Sequence, residues 1–152
     1  MLDAIQEPGN LGTLLRTAAA AGIRDVLLGE GCAQAWSPKV LRAGMGAHLA
    51  LAIHEQAPLA RMLAGFAGEI AAPAPEAPES LFELDLRQPV AWLFGNEGAG
   101  LSPEVAALAT REVCIPMADR TESLNVSAAA AVCLFEQVRQ NAGSATPRPK
   151  KN

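Results

Sequence analysis

Apolar residues along this chain fall into short runs and longer helical stripes that alternate almost to its end. Leu2 to Ile5 reads as the end of a strand, and Glu7-Pro8-Gly9-Asn10 as a turn whose Asn10 caps a helix running to about Ala21, where Gly22 stops it. Asp25 to Gly29 is a short buried strand, Ser37-Pro38 opens a second helix to about Met45, and Leu49 to Ile53 gives another strand. Pro58 to Gly65 reads as helix, Glu69 to Ala72 as strand, and Pro73 to Glu79 as an exposed Pro/Ala/Glu loop. The clearest buried strand is Val90 to Phe94, a continuous apolar run stopped by Gly95. Ser102-Pro103-Glu104 then starts a short helix, Val113 to Pro116 is a strand closed by proline, and Leu124 to Gln140 is a long Ala-rich amphipathic helix. This alternation predicts an α/β fold, a mostly parallel sheet flanked by helices, within one domain of residues 1–143. Residues 144–152, with two prolines and three cations, read as a disordered basic tail.

Composition narrows the possible chemistry. Cys32, Cys114 and Cys133 are odd in number and widely spaced, with only His48 and His54 elsewhere, so neither a disulfide framework nor a metal site is expected. No window approaches a membrane span and the first ten residues lack an apolar signal core, which makes a reducing cytoplasm the expected compartment. Aromatic content is low and Tyr is absent, leaving little for base stacking. The net charge of -4 argues against a polyanionic partner. Yet residues 66–86 hold five acids and no Lys or Arg, which leaves the remainder with 12 basic against 11 acidic residues. A basic patch built from Arg16, Arg42, Arg111 or Arg120 is therefore compatible with the composition.

Three segments carry candidate chemistry. The loop Gly95-Asn96-Glu97-Gly98-Ala99-Gly100-Leu101-Ser102 leaves a buried strand and enters a helix, where open α/β sheets bind ligands. Its glycines do not follow the order of the dinucleotide fingerprint, and Leu101 stands where a P-loop needs Lys, so a nucleotide-binding reading is weak. Glycines supplying a plain turn would explain most of it, but Glu97 between small residues is a poor place for an idle charge unless it is paired or solvated. In the first helix Asn10 and Arg16 lie six residues apart, and singly they read as a cap and a snorkelling arginine. Ser123, Asn125 and Ser127 cluster at a helix start, where free N–H groups and hydroxyls can hold a polar ligand.

Taken together these segments resemble the SpoU (TrmH) branch of the SPOUT methyltransferases. Glu-Pro-Gly-Asn-Leu-Gly-Thr-Leu-Leu-Arg-Thr-Ala is similar to that family's first motif, Leu-Phe-Gly-Asn-Glu-Gly-Ala-Gly-Leu-Ser to its second, and Ile-Pro-Met followed by Ser-Leu-Asn-Val-Ser to its third. Lys39 to His48 resembles the intervening segment, so the similarity runs from about Asp3 to Gln140. The resemblance implies a C-terminal deep trefoil knot, an exception to the rule that chains avoid threading. It implies S-adenosylmethionine held in that knot near Gly95, Ile115, Met117 and Leu124, and a homodimer through the knot region. It also implies transfer of a methyl group to a ribose 2'-hydroxyl of ribosomal or transfer RNA. Arg16 would orient the hydroxyl and stabilise the developing alkoxide, because a guanidinium resists acting as a base, and a phosphate could relay the proton. Asn10, Glu97, Ser123 and Asn125 would orient Arg16 and the ribose. Members of the family commonly carry residues before the first motif, which here begins almost at Met1, so a catalytic domain or a minimal enzyme is expected. The alternative is a non-catalytic knotted RNA-binding or assembly factor, against which the intact polar set argues.

Overall fold

The computed structural model describes residues 1–118 and 123–142. Arg120, the Thr121-Glu122 step before Ser123, and the segment 144–152 lie outside the described residues. Five short strands, β1 (Asp25–Leu27), β2 (Ala52–His54), β3 (Glu69–Pro73), β4 (Val90–Trp92) and β5 (Arg111–Val113), alternate with helices. The helices are α1 (Pro8–Ala20), α2 (Pro38–Gly44), α3 (Leu59–Leu63), α4 (Pro103–Ala106) and α5 (Val126–Ala142). β1 pairs with β2, β3 pairs with β4 and β5, and every one of these pairings is parallel. Leu2 bridges Leu28 on one side and Phe94 on the other, also in parallel. The opening segment thus joins the two pieces into one array, in the order β2, β1, Met1–Asp3, β4, β3, β5.

Both faces of this array are covered, as a parallel sheet requires. Alternation along each strand divides the core in two. Val26, Leu28, Ala71, Trp92, Phe94 and Val113 point to a cluster with Leu11, Leu14 and Leu15 of α1 and Ala130, Cys133 and Leu134 of α5. Leu27, Ile70, Ala72 and Leu93 point the other way, onto Leu59 and Leu63 of α3 and Val105 of α4. Polar side chains of α5 fasten it to the sheet side. The Trp92 indole donates to Gln137 Oε1 at 2.9 Å, while Gln140 donates to Leu84 O and accepts from Leu86 N. Glu136, buried on the same helix, has its carboxyl held at about 2, chiefly by hydrogen bonds from Arg139.

Three local readings of the sequence need correction. α1 is capped by Glu7, not Asn10. Pro8, with its φ preset, takes the first helical position, and the Glu7 carboxylate accepts from the backbone N–H groups of Gly9 and Asn10. Asn10 is left free to point elsewhere. Ala47–Ala50 forms a 3-10 turn, not the start of a strand, so β2 begins only at Ala52. Pro73 still belongs to β3 and Ala77 is buried, so the Pro/Ala/Glu segment is not a wholly exposed loop. The cysteines also divide, Cys133 being buried while Cys32 and Cys114 are partly exposed.

One contact sets the spacing of the helices on the first face. A Cβ on Gly12 would stand 2.4 Å from Ala43 Cβ and 2.7 Å from Val40 O of α2, so only glycine lets α1 and α2 approach this closely. Gly12→Val should therefore overpack the contact and cost about 1–3 kcal/mol. The expected readout is a thermal midpoint lowered by several degrees in circular dichroism, and unfolding at the parental temperature would refute the close contact.

Candidate functional site

The carboxyl ends of the central strands converge on one cavity of about 480 Å³. After β4 the chain turns sharply at Gly95, where a Cβ would lie 2.3 Å from Gly100 C and Leu101 N. The loop doubles back, with Asn96 and Gly100 exchanging backbone hydrogen bonds of 2.8 and 2.9 Å and Gly100 at φ +73°. Asn96 Oδ1 accepts from Gly98 N and Ala99 N at 2.9 Å, and its amide donates to Ala4 O. At the foot of the loop, Ser102 N donates to buried Asp3 Oδ2 at 2.7 Å. Glycine supplies the close approach, and Asn96 supplies the rigidity.

Glu97 is presented at the exposed tip of this loop. Asn10 Nδ2 donates to Glu97 Oε1 at 3.0 Å, and Glu7 N lies 3.4 Å from the same oxygen. Desolvation pushes the Glu97 carboxyl up, but the Asn10 amide and the backbone N–H groups of Glu97, Glu7 and Gln6 outweigh it and hold it below its ordinary value. The other end of the Asn10 amide accepts from Asn125 Nδ2 at 3.1 Å. Asn125 Oδ1 in turn accepts from Ser127 N at 2.9 Å, and the Ser127 hydroxyl donates to Asn10 O at 3.2 Å. Residues separated by about a hundred positions thus form one hydrogen-bonded chain at the cavity edge.

Glu97, Ser123 and Asn125 line the cavity, and so do Gly95, Ile115, Met117 and Leu124. Arg16 does not. It is exposed on α1, outside the cavity lining, and has no side-chain partner among the described residues. Two contributions escaped the sequence reading. Pro73, Ala74 and Pro75 form a wall, their signal being a proline run directly after a buried strand, and Glu7 braces Glu97 through its backbone. Among the described lining residues Glu97 is the single charge. Among these described residues a di- or triphosphate would find no cation, whereas a positively charged group meets a carboxylate. Apolar Leu101, Ile115, Met117 and Val126 beside open backbone at Gly95 and Gly98 suit a molecule with a flat apolar part and polar edges. No group of three or more His, Cys, Asp or Glu among the described residues is placed to hold a metal ion. No described helix is long and apolar enough to cross a membrane.

Comparison with known proteins points to one family. The model of the SpoU rRNA Methylase family matches residues 1–135. An uncharacterized tRNA/rRNA methyltransferase of Synechocystis sp. is 42% identical over 150 residues, covering 97% of this chain and 55% of its own length. The 23S rRNA (guanosine(2553)-2'-O)-methyltransferase RlmP of Bacillus subtilis is 35% identical, covering 89% of this chain and 55% of its own. Among solved structures, the SpoU methyltransferase AviRb from Streptomyces viridochromogenes in complex with AdoMet superposes with a TM-score of 0.83 at 32% identity, over 93% of this chain and 59% of that one. The chain therefore spans little more than half the length of these relatives.

The Asn10 bridge has a consequence for acid stability. A carboxyl lowered by folding contributes stability above its unfolded value of 4.5 and loses it as pH falls through the depressed folded value. Asn10→Ala should move the Glu97 titration, followed by carboxyl NMR, back toward 4.5, and the loss of stability to urea between pH 6 and pH 3.5 should become shallower. An unchanged Glu97 titration in that variant would remove Asn10 as the cause.

Proposed function

Because the chain belongs to the SpoU rRNA methylase family, we propose that it transfers a methyl group from S-adenosylmethionine to a ribose 2'-hydroxyl of RNA. The observation that carries this reading is the chain of hydrogen bonds from Glu97 through Asn10 to Asn125 at the edge of the cavity. Three segments distant in sequence supply it, and an isolated cap or turn would need none of these links. The names of the relatives, which methylate ribosomal RNA, support RNA as the substrate.

The cavity residues fit the donor by their chemistry. Gly95, Ile115, Met117 and Leu124 would hold S-adenosylmethionine, and Glu97, the single charge among the described lining residues, is of the sign that suits a sulfonium. When bound, that molecule supplies a methyl group already activated for displacement. The protein's tasks are then alignment and control of one proton. Asn10 and Asn125 present amide groups that can orient a ribose, and Ser123 adds a hydroxyl at the same edge. Arg16, permanently charged, would steady the developing alkoxide or a neighbouring phosphate, while the proton leaves to phosphate or water. Its solvent-facing position on α1 suits a group that meets substrate rather than cofactor.

The same reading includes a C-terminal trefoil knot. It also includes a homodimer, for which Phe135 leaves a large apolar side chain exposed on α5. Arg16→Ala should abolish transfer of labelled methyl to RNA, a loss of at least about a hundredfold, while calorimetric binding of S-adenosylmethionine is preserved. Turnover at the parental rate would reject the role of Arg16, and absence of transfer by the parent chain to ribosomal or transfer RNA would reject the activity. Light scattering at micromolar concentration should report a dimer, and a monomer would reject the assembly.

A further inference from the structure

We propose that the face formed by Trp36, α2 and the 3-10 turn after it binds a single-stranded stretch of the substrate RNA, with Trp36 stacking a base and Lys39 and Arg42 meeting phosphates. This rests on the RNA reading above and adds where the strand lies.

The face is unusually apolar for a surface. Trp36 is 55% exposed, Met45 71% and Leu49 94%, all within fourteen residues. Exposed apolar area concentrated in this way marks a binding surface more often than a solvated one. Trp36 is also held in place. Its indole leans on the ring of His48 at 5.1 Å and 53°, and buried His48 is fixed by Nε2 donating to Ala35 O at 2.8 Å. A braced indole with its outer part open is a preformed stacking platform, which loses little freedom when a base lands on it.

Charge selects the partner. From Trp36 to Ala50 the sequence has two cations and no acid, and Lys39 and Arg42 are exposed without a partner among the described residues. The adjacent Glu55, which accepts from Ala35 N at 2.9 Å, lies outside this stretch. Other exposed aromatics lack this setting, since Phe82 sits between Glu79, Glu83 and Asp85, and Phe135 adjoins Glu136. A second copy is a poorer occupant. A two-fold contact would bring each copy's Lys39 and Arg42 together, and the stretch from Trp36 to Ala50 supplies no acid to offset them.

Position completes the case. Gly12, two residues after Asn10, touches Val40 and Ala43 of α2, so the face adjoins the hydrogen-bonded site. Arg16, one turn after Gly12, is exposed as well. A strand whose ribose reaches Asn10 would run onto α2 with its bases toward Trp36.

The test uses the full chain and an unstructured, mixed-sequence RNA of about 20 nucleotides, with binding followed by anisotropy of a fluorescein label. Trp36→Leu should weaken binding about tenfold, consistent with one base no longer stacked. The double variant K39Q/R42Q should lower the slope of log affinity against log salt by about 1.4, or about 0.7 for each phosphate no longer neutralised. Unlabelled RNA should quench the parent's indole emission but leave that of Trp36→Leu, which comes from buried Trp92, unchanged. Affinity for S-adenosylmethionine should be parental in both variants. Parental RNA affinity and salt slope in both would overturn the proposal while leaving the enzymatic reading intact, and so would a shift from dimer to monomer in sedimentation, which would give the face to a second copy. A parent chain that binds no RNA would sink both readings together.

Discussion

Hydrogen bonds on both edges of Leu2 hold the sheet together. Leu2 N donates to Leu27 O and Asp3 N to Phe94 O, while Leu2 O and Met1 O accept from Gly29 N and Phe94 N. Without them the five strands would fall into two unconnected sheets with unpaired inner edges, an arrangement that buried backbone cannot sustain. The same segment then fixes the glycine loop. Asp3 takes the Ser102 N–H, Ala4 O takes the Asn96 amide, and the Glu7 backbone reaches Glu97. The central strand and the loop beside it are therefore one mechanical unit, and the position of Glu97 is inherited from the first seven residues.

Asn10 is where that unit meets α5. Its side chain must donate to a carboxylate and accept from an amide at the same time, which an amide can do and a carboxylate or a hydroxyl of shorter reach cannot. An aspartate there would set two negative charges side by side. Glu7 makes this role available by taking over the cap, so two neighbouring polar residues divide the work of starting a helix and building a site. Arg16 stands apart from the network, so the first motif combines a residue built into the scaffold with one that faces outward.

How much of this could be read from the sequence differs between fold and site. The alternation of strands and helices was legible because a parallel sheet with two covered faces needs continuous apolar runs, and Gly22, Ser37-Pro38, Gly95 and Pro103 punctuate them. The errors fell where several local structures were equally open. An acid before Pro-Gly-Asn can cap as well as the Asn can, and only Pro8 in the first helical position decides between them. Ala47 to Ala50 closes as a 3-10 turn because His48 is drawn under Trp36, a contact twelve residues back that strand propensity does not weigh. The site itself depends on contacts spanning 87 and 115 residues. No periodicity encodes such distances, so it was the order of three motifs resembling one family that pointed to them. Even that order did not reveal the Pro73–Pro75 wall, which owes its place to the end of β3 rather than to any motif.

The negative net charge and the proposed polyanionic substrate are reconciled by where the ion pairs lie. Arg111 is committed to Glu69 and Glu79 on the strand at the sheet's edge, Arg87 to Asp85, and Arg139 to Glu136. The exposed pair Arg87–Asp85 adds little stability, but each of these pairs removes a cation from the surface available to phosphate. Arg111, a candidate for a basic patch on sequence grounds, is excluded by its two carboxylates. Arg16, Lys39 and Arg42, on α1 and α2, have no such partners among the described residues. The acids and their arginines neutralise each other around β3, β5 and α5, whereas Arg16, Lys39 and Arg42 stay available on α1 and α2. For recognition of a polyanion this local distribution decides the matter, because screening confines each charge to about 8–10 Å at physiological salt.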